Sequence, residues 1–92
     1  MLDFNEKKFI SSFFNDRGYV LDFSNNTFDK FTQESVGIEI QSNYGGSKGG
    51  SLAEFIRIKS DSEILKLTHD LVRYIDFNNI ELQDKKNNYF LS

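Results

Sequence analysis

Four glycines and a lysine crowd the stretch Asn43-Tyr-Gly-Gly-Ser-Lys-Gly-Gly-Ser51, just ahead of an apolar run. A loop of this kind before a helix can cradle phosphates, with backbone N–H groups around them, a lysine on the terminal one and a hydroxyl on magnesium. The spacing that does this is G-x-x-x-x-G-K-[ST]. Gly45 and Gly50 have the required separation, but Ser51 follows Gly50 directly and the lysine lies inside the loop at Lys48. No second strand–helix pair is available for the parallel sheet such loops sit on, and no acidic residue is placed to organise the metal. The pattern argues against nucleotide hydrolysis. What remains is a flexible loop, Tyr44 to Gly49, in which Ser47, Lys48 and free N–H groups could receive a carboxylate or phosphate from a partner. The plainer reading is a mobile linker.

Other reactive side chains assemble into nothing. His69 is the only histidine and cysteine is absent, so neither a His-based metal cluster nor a thiolate site can form. On a helical wheel His69 flanks the apolar face of its helix, a boundary position. Ser24, Ser51 and Ser60 read as helix caps, and no serine has a general base near it in sequence. The fourteen carboxylates are spread along the helices as solvated faces without a pair for acid–base work. We expect no cofactor, no metal and no enzyme.

A chain of 92 residues has room for one domain. The net charge of -3 and pI near 5.0 make nucleic acid the less favoured partner, because phosphate-backbone binders cluster Lys and Arg. No run of about 18 apolar residues could span a bilayer. The start, Met1-Leu-Asp-Phe-Asn-Glu6, lacks the regions of a signal peptide, so the expected location is cytoplasmic.

Proline is absent, and the elements are read from glycine, caps and apolar period. Asn5 caps a first helix, with Phe4 stapled to Phe9; Phe9, Ile10, Phe13 and Phe14 share a face, and Gly18 closes it. Phe23-Ser24 with Phe28 repeats the device for a helix that carries Phe31 and Val36 and stops at Gly37. Phe77-Asn78 with Leu82 repeats it again, with Glu81 at the capping-box position. Two Ser-x-x-Glu capping boxes, Ser51 with Glu54 and Ser60 with Glu63, open two more helices. After Ser60, residues Ile64, Leu65, Leu67, Thr68, Leu71, Val72 and Ile75 fall within about 160° of a helical wheel, with Lys66, Asp70 and Arg73 opposite.

Five helices follow, at residues 5–17, 25–36, 52–59, 61–76 and 79–90. The fold class is all-α, a compact bundle of five or six short antiparallel helices. Residues 19–23 and 37–41 are apolar connectors. Ile38 and Ile40 alternate, so the alternative is an α+β fold in which these connectors form a small two-stranded sheet.

Ten phenylalanines suggest a stacking platform for single-stranded nucleic acid, but Phe4, Phe9, Phe13, Phe23, Phe28, Phe31 and Phe55 are accounted for as staples or inward faces. Charge is more telling. Residues 43–60 hold Lys48, Arg57 and Lys59 against Glu54 alone. Residues 61–84 hold Asp61, Glu63, Asp70, Asp76, Glu81 and Asp84 against Lys66 and Arg73. A basic and an acidic surface on one small domain could pack copies head to tail.

The strings Thr27-Phe-Asp-Lys-Phe31, Val36-Gly-Ile-Glu-Ile40, Tyr44, Ser47-Lys-Gly49 and Leu52-Ala-Glu-Phe55 resemble a small N-terminal module of bacterial abortive-infection and related phage-defence proteins, over roughly residues 5–76. That resemblance implies a separate effector downstream. Helix count and size also resemble a death-fold, caspase-recruitment-like adaptor domain, a likeness at the level of fold. The apolar finish Asn88-Tyr-Phe-Leu-Ser92 points the same way, to the N-terminal part of a longer protein. The expected function is a non-enzymatic adaptor that assembles with itself or a similar helical domain and recruits an attached or separate effector. Its interaction surface would be Lys48, Arg57 and Lys59 against Asp61, Glu63, Asp70 and Asp76. The alternative is a nucleic-acid or anion-sensing domain using Ser47, Lys48, Arg57, Lys59, Lys85 and Lys86.

Overall fold

The computed structural model describes residues 1–80. Five helices, α1 (Phe4–Phe14), α2 (Asn25–Val36), α3 (Ile40–Tyr44), α4 (Lys48–Ile58) and α5 (Asp61–Asn78), are joined by short connections, and a two-stranded hairpin, β1 (Asn15–Asp16) and β2 (Tyr19–Val20), lies between α1 and α2. The all-α expectation is met, and the small sheet of the α+β alternative also exists. Only one of its strands comes from the expected residues. Strand β2 comes from the expected connector but pairs antiparallel with β1, Asn15 opposite Val20 and Asp16 opposite Tyr19. Residues 37–41 form no strand. The first helix therefore ends at Phe14, and Gly18 belongs to the hairpin turn.

Local chemistry explains most boundaries. Asp3, and not Asn5, caps α1: its carboxylate accepts from Glu6 N–H while Glu6 reaches back to Asp3 N–H. Phe4 thus falls inside the first turn and is 77% exposed, so the expected Phe4–Phe9 staple has no basis. Ser24 caps α2 as expected, Phe23 and Phe28 meet with ring centroids 5.6 Å apart, and Gly37 ends the helix in the left-handed region at φ 77. Ser60 and Glu63 form the expected capping box of α5. That helix runs to Asn78 and stops at Asn79, at φ 51. Phe77 and Asn78 are therefore its last residues instead of the opening of another helix. Glu81, Leu82 and all of the expected helix at 79–90 beyond its first two residues lie outside the described residues.

Helix α3 was not foreseen, because nothing next to it caps it. Its N-cap Glu39 makes no side-chain bond. Helix α2 supplies the missing partners from across the fold. Thr32, fully buried, accepts from Ile40 N–H at 3.1 Å, and Asp29 Oδ1 accepts from Gln41 N–H at 2.9 Å and Ser42 N–H at 3.3 Å. Three amides at the start of α3 are thereby satisfied by side chains eight to thirteen residues away.

The core comprises Phe13, Phe14, Val20, Phe23, Phe28, Ile40, Leu52, Phe55, Ile56, Ile64, Leu67 and Leu71. Helix α5 closes it against α2, where Tyr74 stacks on Phe23 at 4.4 Å and stands edge-on to Phe31 at 5.4 Å. Two polar ties hold the same seam: Ser35 donates to Asp70 at 2.6 Å and Tyr74 to Asp22 at 2.6 Å.

Two outcomes follow. Asp29→Ala strands the amides of α3 and lowers unfolding free energy by about 1–3 kcal/mol in a denaturant titration. The Tyr74 phenol is pushed up to about 12, by burial first and then by its bond to Asp22 and that group's charge. A raised folded-state value means that its contribution is present below the ordinary tyrosine value of about 10 and is lost as pH rises through about 12. Thermal midpoints measured against pH should therefore fall over that alkaline window in the wild type, and less steeply in Tyr74→Phe.

Candidate functional site

The glycine stretch is mostly helix. Ser47 is the N-cap of α4, its Oγ accepting from Gly50 N–H at 2.9 Å. The expected Ser51–Glu54 capping box is absent because Ser51 sits inside the helix, buried, with its hydroxyl donating to Lys48 O at 2.9 Å. Glu54 instead pairs with Arg57. Gly49 N–H is taken by Gly18 O at 2.8 Å, and Ser51 N–H by Ser47 O. The Gly49, Gly50 and Ser51 amides that a phosphate cradle would use are therefore spent within the fold.

Gly49 shows why the hairpin can sit there. A Cβ at this position would stand 2.2 Å from Asn15 Oδ1 and 2.4 Å from its Cγ. Only a hydrogen fits between α4 and the hairpin. Asn15 Oδ1 is itself committed, accepting from Gly18 N–H at 2.8 Å. Tyr44 ends α3 half-buried against the core. Of the expected loop residues, Tyr44 and Gly49 thus serve packing and Ser47 serves a cap.

Lys48 is inside. It is only 7% exposed, its Nζ donates to Asn25 Oδ1 at 3.2 Å, and it lies 5.2 Å from the centre of the Tyr19 ring. This removes it from the expected basic face. Arg57 is exposed on the last turn of α4 and engages Glu54, whose carboxyl it holds below the usual range chiefly through that hydrogen bond. Such a surface pair contributes little to stability. Lys59 follows as the C-cap.

The acidic residues are also largely engaged. Asp61 accepts from Leu2 N–H at 2.8 Å, and Glu63 completes the α5 capping box. Asp70 accepts from Ser35 and pairs with Lys66. Burial pushes its carboxyl up, but the bonds from Lys66 and Ser35, with the nearby charges of Lys66 and His69, outweigh this and hold it below the usual range. A carboxylate so stabilised is a poor base for the serine it touches, so the Ser35–Asp70 bond acts as a tie between helices. Asp76 is exposed. Arg57, Lys59, Asp61 and Glu63 flank the junction of α4 and α5 at Lys59 and Ser60. Lys85 and Lys86 lie outside the described residues.

Sequence reasoning missed the outer edge of α5. The arc from Tyr74 through Ile64, Leu67 and Leu71 to Thr68, about 120° of the wheel, faces inward. Leu65 and Val72, at the edge of the expected apolar face, remain 51% and 38% exposed. With His69 and Asp76, both exposed, they form a line at spacings of four, three and four residues. That is the period of a helix–helix seam, and it was legible had the width of the apolar face been questioned. Also missed were Arg17, Tyr19 and Asn25, which distant folding brings to Lys48. Among the described residues no group of three or more His, Asp or Glu side chains could hold a metal ion, and no helix is long and apolar enough to cross a membrane.

The hairpin contact gives a sharp test. Replacing a helical glycine by alanine ordinarily stabilises by up to about 1 kcal/mol, but Gly49→Ala should destabilise by about 1–3 kcal/mol, as overpacking does. Chemical denaturation reads the sign directly. No protein-family model, curated protein or solved structure matches this chain.

Proposed function

We propose that this domain is a non-enzymatic interaction module that associates with a second copy of itself, or a similar helical domain, and thereby clusters an effector. The observation that carries this reading is the line Leu65–His69–Val72–Asp76 on α5. The helix already commits Ile64, Leu67 and Leu71 to the core, yet keeps two large aliphatic side chains outside, seven residues apart on one stripe. Single exposed apolar residues are commonplace; a pair in seam register along an 18-residue helix is a surface shaped for another helix. The resemblance to the N-terminal modules of phage-defence proteins supports the same reading, and with it a role in anti-phage defence.

Physical size sets the strength. Two aliphatic residues per copy, each worth roughly 1.5–3 kcal/mol when fully buried, do not offset the cost of association by a wide margin. Self-association of the isolated domain is therefore weak, and it becomes effective when several copies are tethered. A weak contact of this kind suits a switch that responds to local concentration. The α4–α5 junction, flanked by Arg57, Lys59, Asp61 and Glu63, offers polar contacts of both signs at a rim, where they set partner choice more than affinity.

Sedimentation velocity over a wide concentration range tests this reading. The wild type should show a rising sedimentation coefficient with concentration, and Leu65→Glu/Val72→Glu should remain monomeric with an unchanged thermal midpoint, since both side chains are outside the core. A wild type that stays monomeric at millimolar concentration counts against the proposal.

A further inference from the structure

We infer that Lys48 and Arg17 form a binding site for a phosphate group, in the cavity between the hairpin turn and the starts of α2 and α4. This inference is independent of the self-association reading and uses the opposite chemistry. The cavity measures about 340 Å³, the lower end of the range for small-molecule sites. Arg17, Tyr19, Asn25, Gln41, Ser47 and Lys48 line it together with two glycines, so its walls carry two cations and no carboxylate.

The Lys48 ammonium is the main observation. Lysine is rarely this buried without an opposite charge, since desolvation penalises the ammonium. Here, among the described residues, its single hydrogen bond goes to a neutral amide oxygen, Asn25 Oδ1, and the Tyr19 ring adds a cation–π contact. An ammonium has three donors. Two are left for a ligand.

Arg17 supplies a second, planar set of donors. It sits at φ 53 in the hairpin turn and is exposed, and Asp16 engages only its Nε, at 3.3 Å. Among the described residues no bond occupies its terminal Nη nitrogens. A guanidinium fork and an ammonium facing one cavity match the several acceptor oxygens of a phosphate better than the two of a carboxylate. Beside them Gln41 donates through Nε2 to Gly46 O at 3.1 Å, while its Oε1 is buried without a partner. The hydroxyl that inorganic phosphate retains near neutral pH, and a monoester only below its second pKa of about 6, is a donor of the kind this acceptor lacks.

The helix terminus plays a small part. With Gly49, Gly50 and Ser51 N–H groups already bonded, the recognition comes from side chains, and so it can be removed by substitution. The phosphate could be free or carried as a monoester, and the two sources share the anionic oxygens that Lys48 and Arg17 would recognise.

Amide-resolved NMR titration of the isotope-labelled full chain tests the site, with inorganic phosphate in one arm, glycerol phosphate in the other, and sodium chloride at matched ionic strength as control. We expect saturable shifts at Gly18, Tyr19, Ser47 and Lys48 with phosphate and none with chloride; whichever arm binds more tightly identifies the source. Lys48→Met and Arg17→Gln should each weaken binding about tenfold or more, the effect of losing a charge-assisted hydrogen bond. Arg17 is exposed, so Arg17→Gln keeps the test valid even if Lys48→Met does not fold. Absence of saturable shifts in both arms, or binding unchanged in Arg17→Gln, overturns the inference.

Discussion

The fold depends on the close approach of the Asn15–Val20 hairpin to the first turn of α4. Gly49 permits it by having no side chain, its N–H bonds Gly18 O, and Asn15 clamps the turn by accepting from Gly18 N–H. Once this contact forms, the position of α4 is fixed against the end of α1, and Phe55, Leu52 and Ile56 point into the space lined by Phe13 and Phe14. The same approach draws Lys48 inward, between the ring of Tyr19 and the amide of Asn25. A lysine that looks like loop surface in the sequence thus becomes part of the wall of a cavity.

A second constraint is handled by polar side chains. A five-residue helix cannot be stable alone, because nucleation fixes several residues for few hydrogen bonds. Helix α3 persists because Ile40 is buried in the core and because Thr32 and Asp29 receive its free amides. One surface of α2 therefore acts as the cap that α3 lacks. Further along, Ser35 and Phe31 tie α2 to α5, so α2 is the element through which the two halves of the chain communicate.

Much of this was readable from residues alone where the signal is local. Ser24 with Phe23 and Phe28, Gly37, and Ser60 with Glu63 act through partners no more than five residues away, and the structure places each as expected. The errors arose where partners are distant or where two local solutions compete. Ser51 reads as the cap of α4, but Ser47 takes that place, with Gly49 held in the first turn by the hairpin. Asp3 displaced Asn5 because Glu6 completes a reciprocal pair with it. The caps of α3 could not be seen at all, since Asp29 lies twelve residues before the amide it serves. Lys48 reads as part of a basic face, but the distant approach of the hairpin and α2 draws it inside, against Tyr19 and Asn25.

The two surfaces left over differ in kind, and their placement keeps them apart. Leu65 and Val72 present an aliphatic stripe whose value lies in excluding water, whereas Lys48 and Arg17 present cationic donors whose value lies in a specific ligand. Helix α2 meets the Lys48 cavity through Asn25 in its first turn and α5 through Ser35 in its last. Its twelve residues span about 18 Å, more than a Debye length at physiological salt. Charge bound at one end is therefore felt weakly at the other through solvent, and any link between the two would have to run through the packed body of α2 itself.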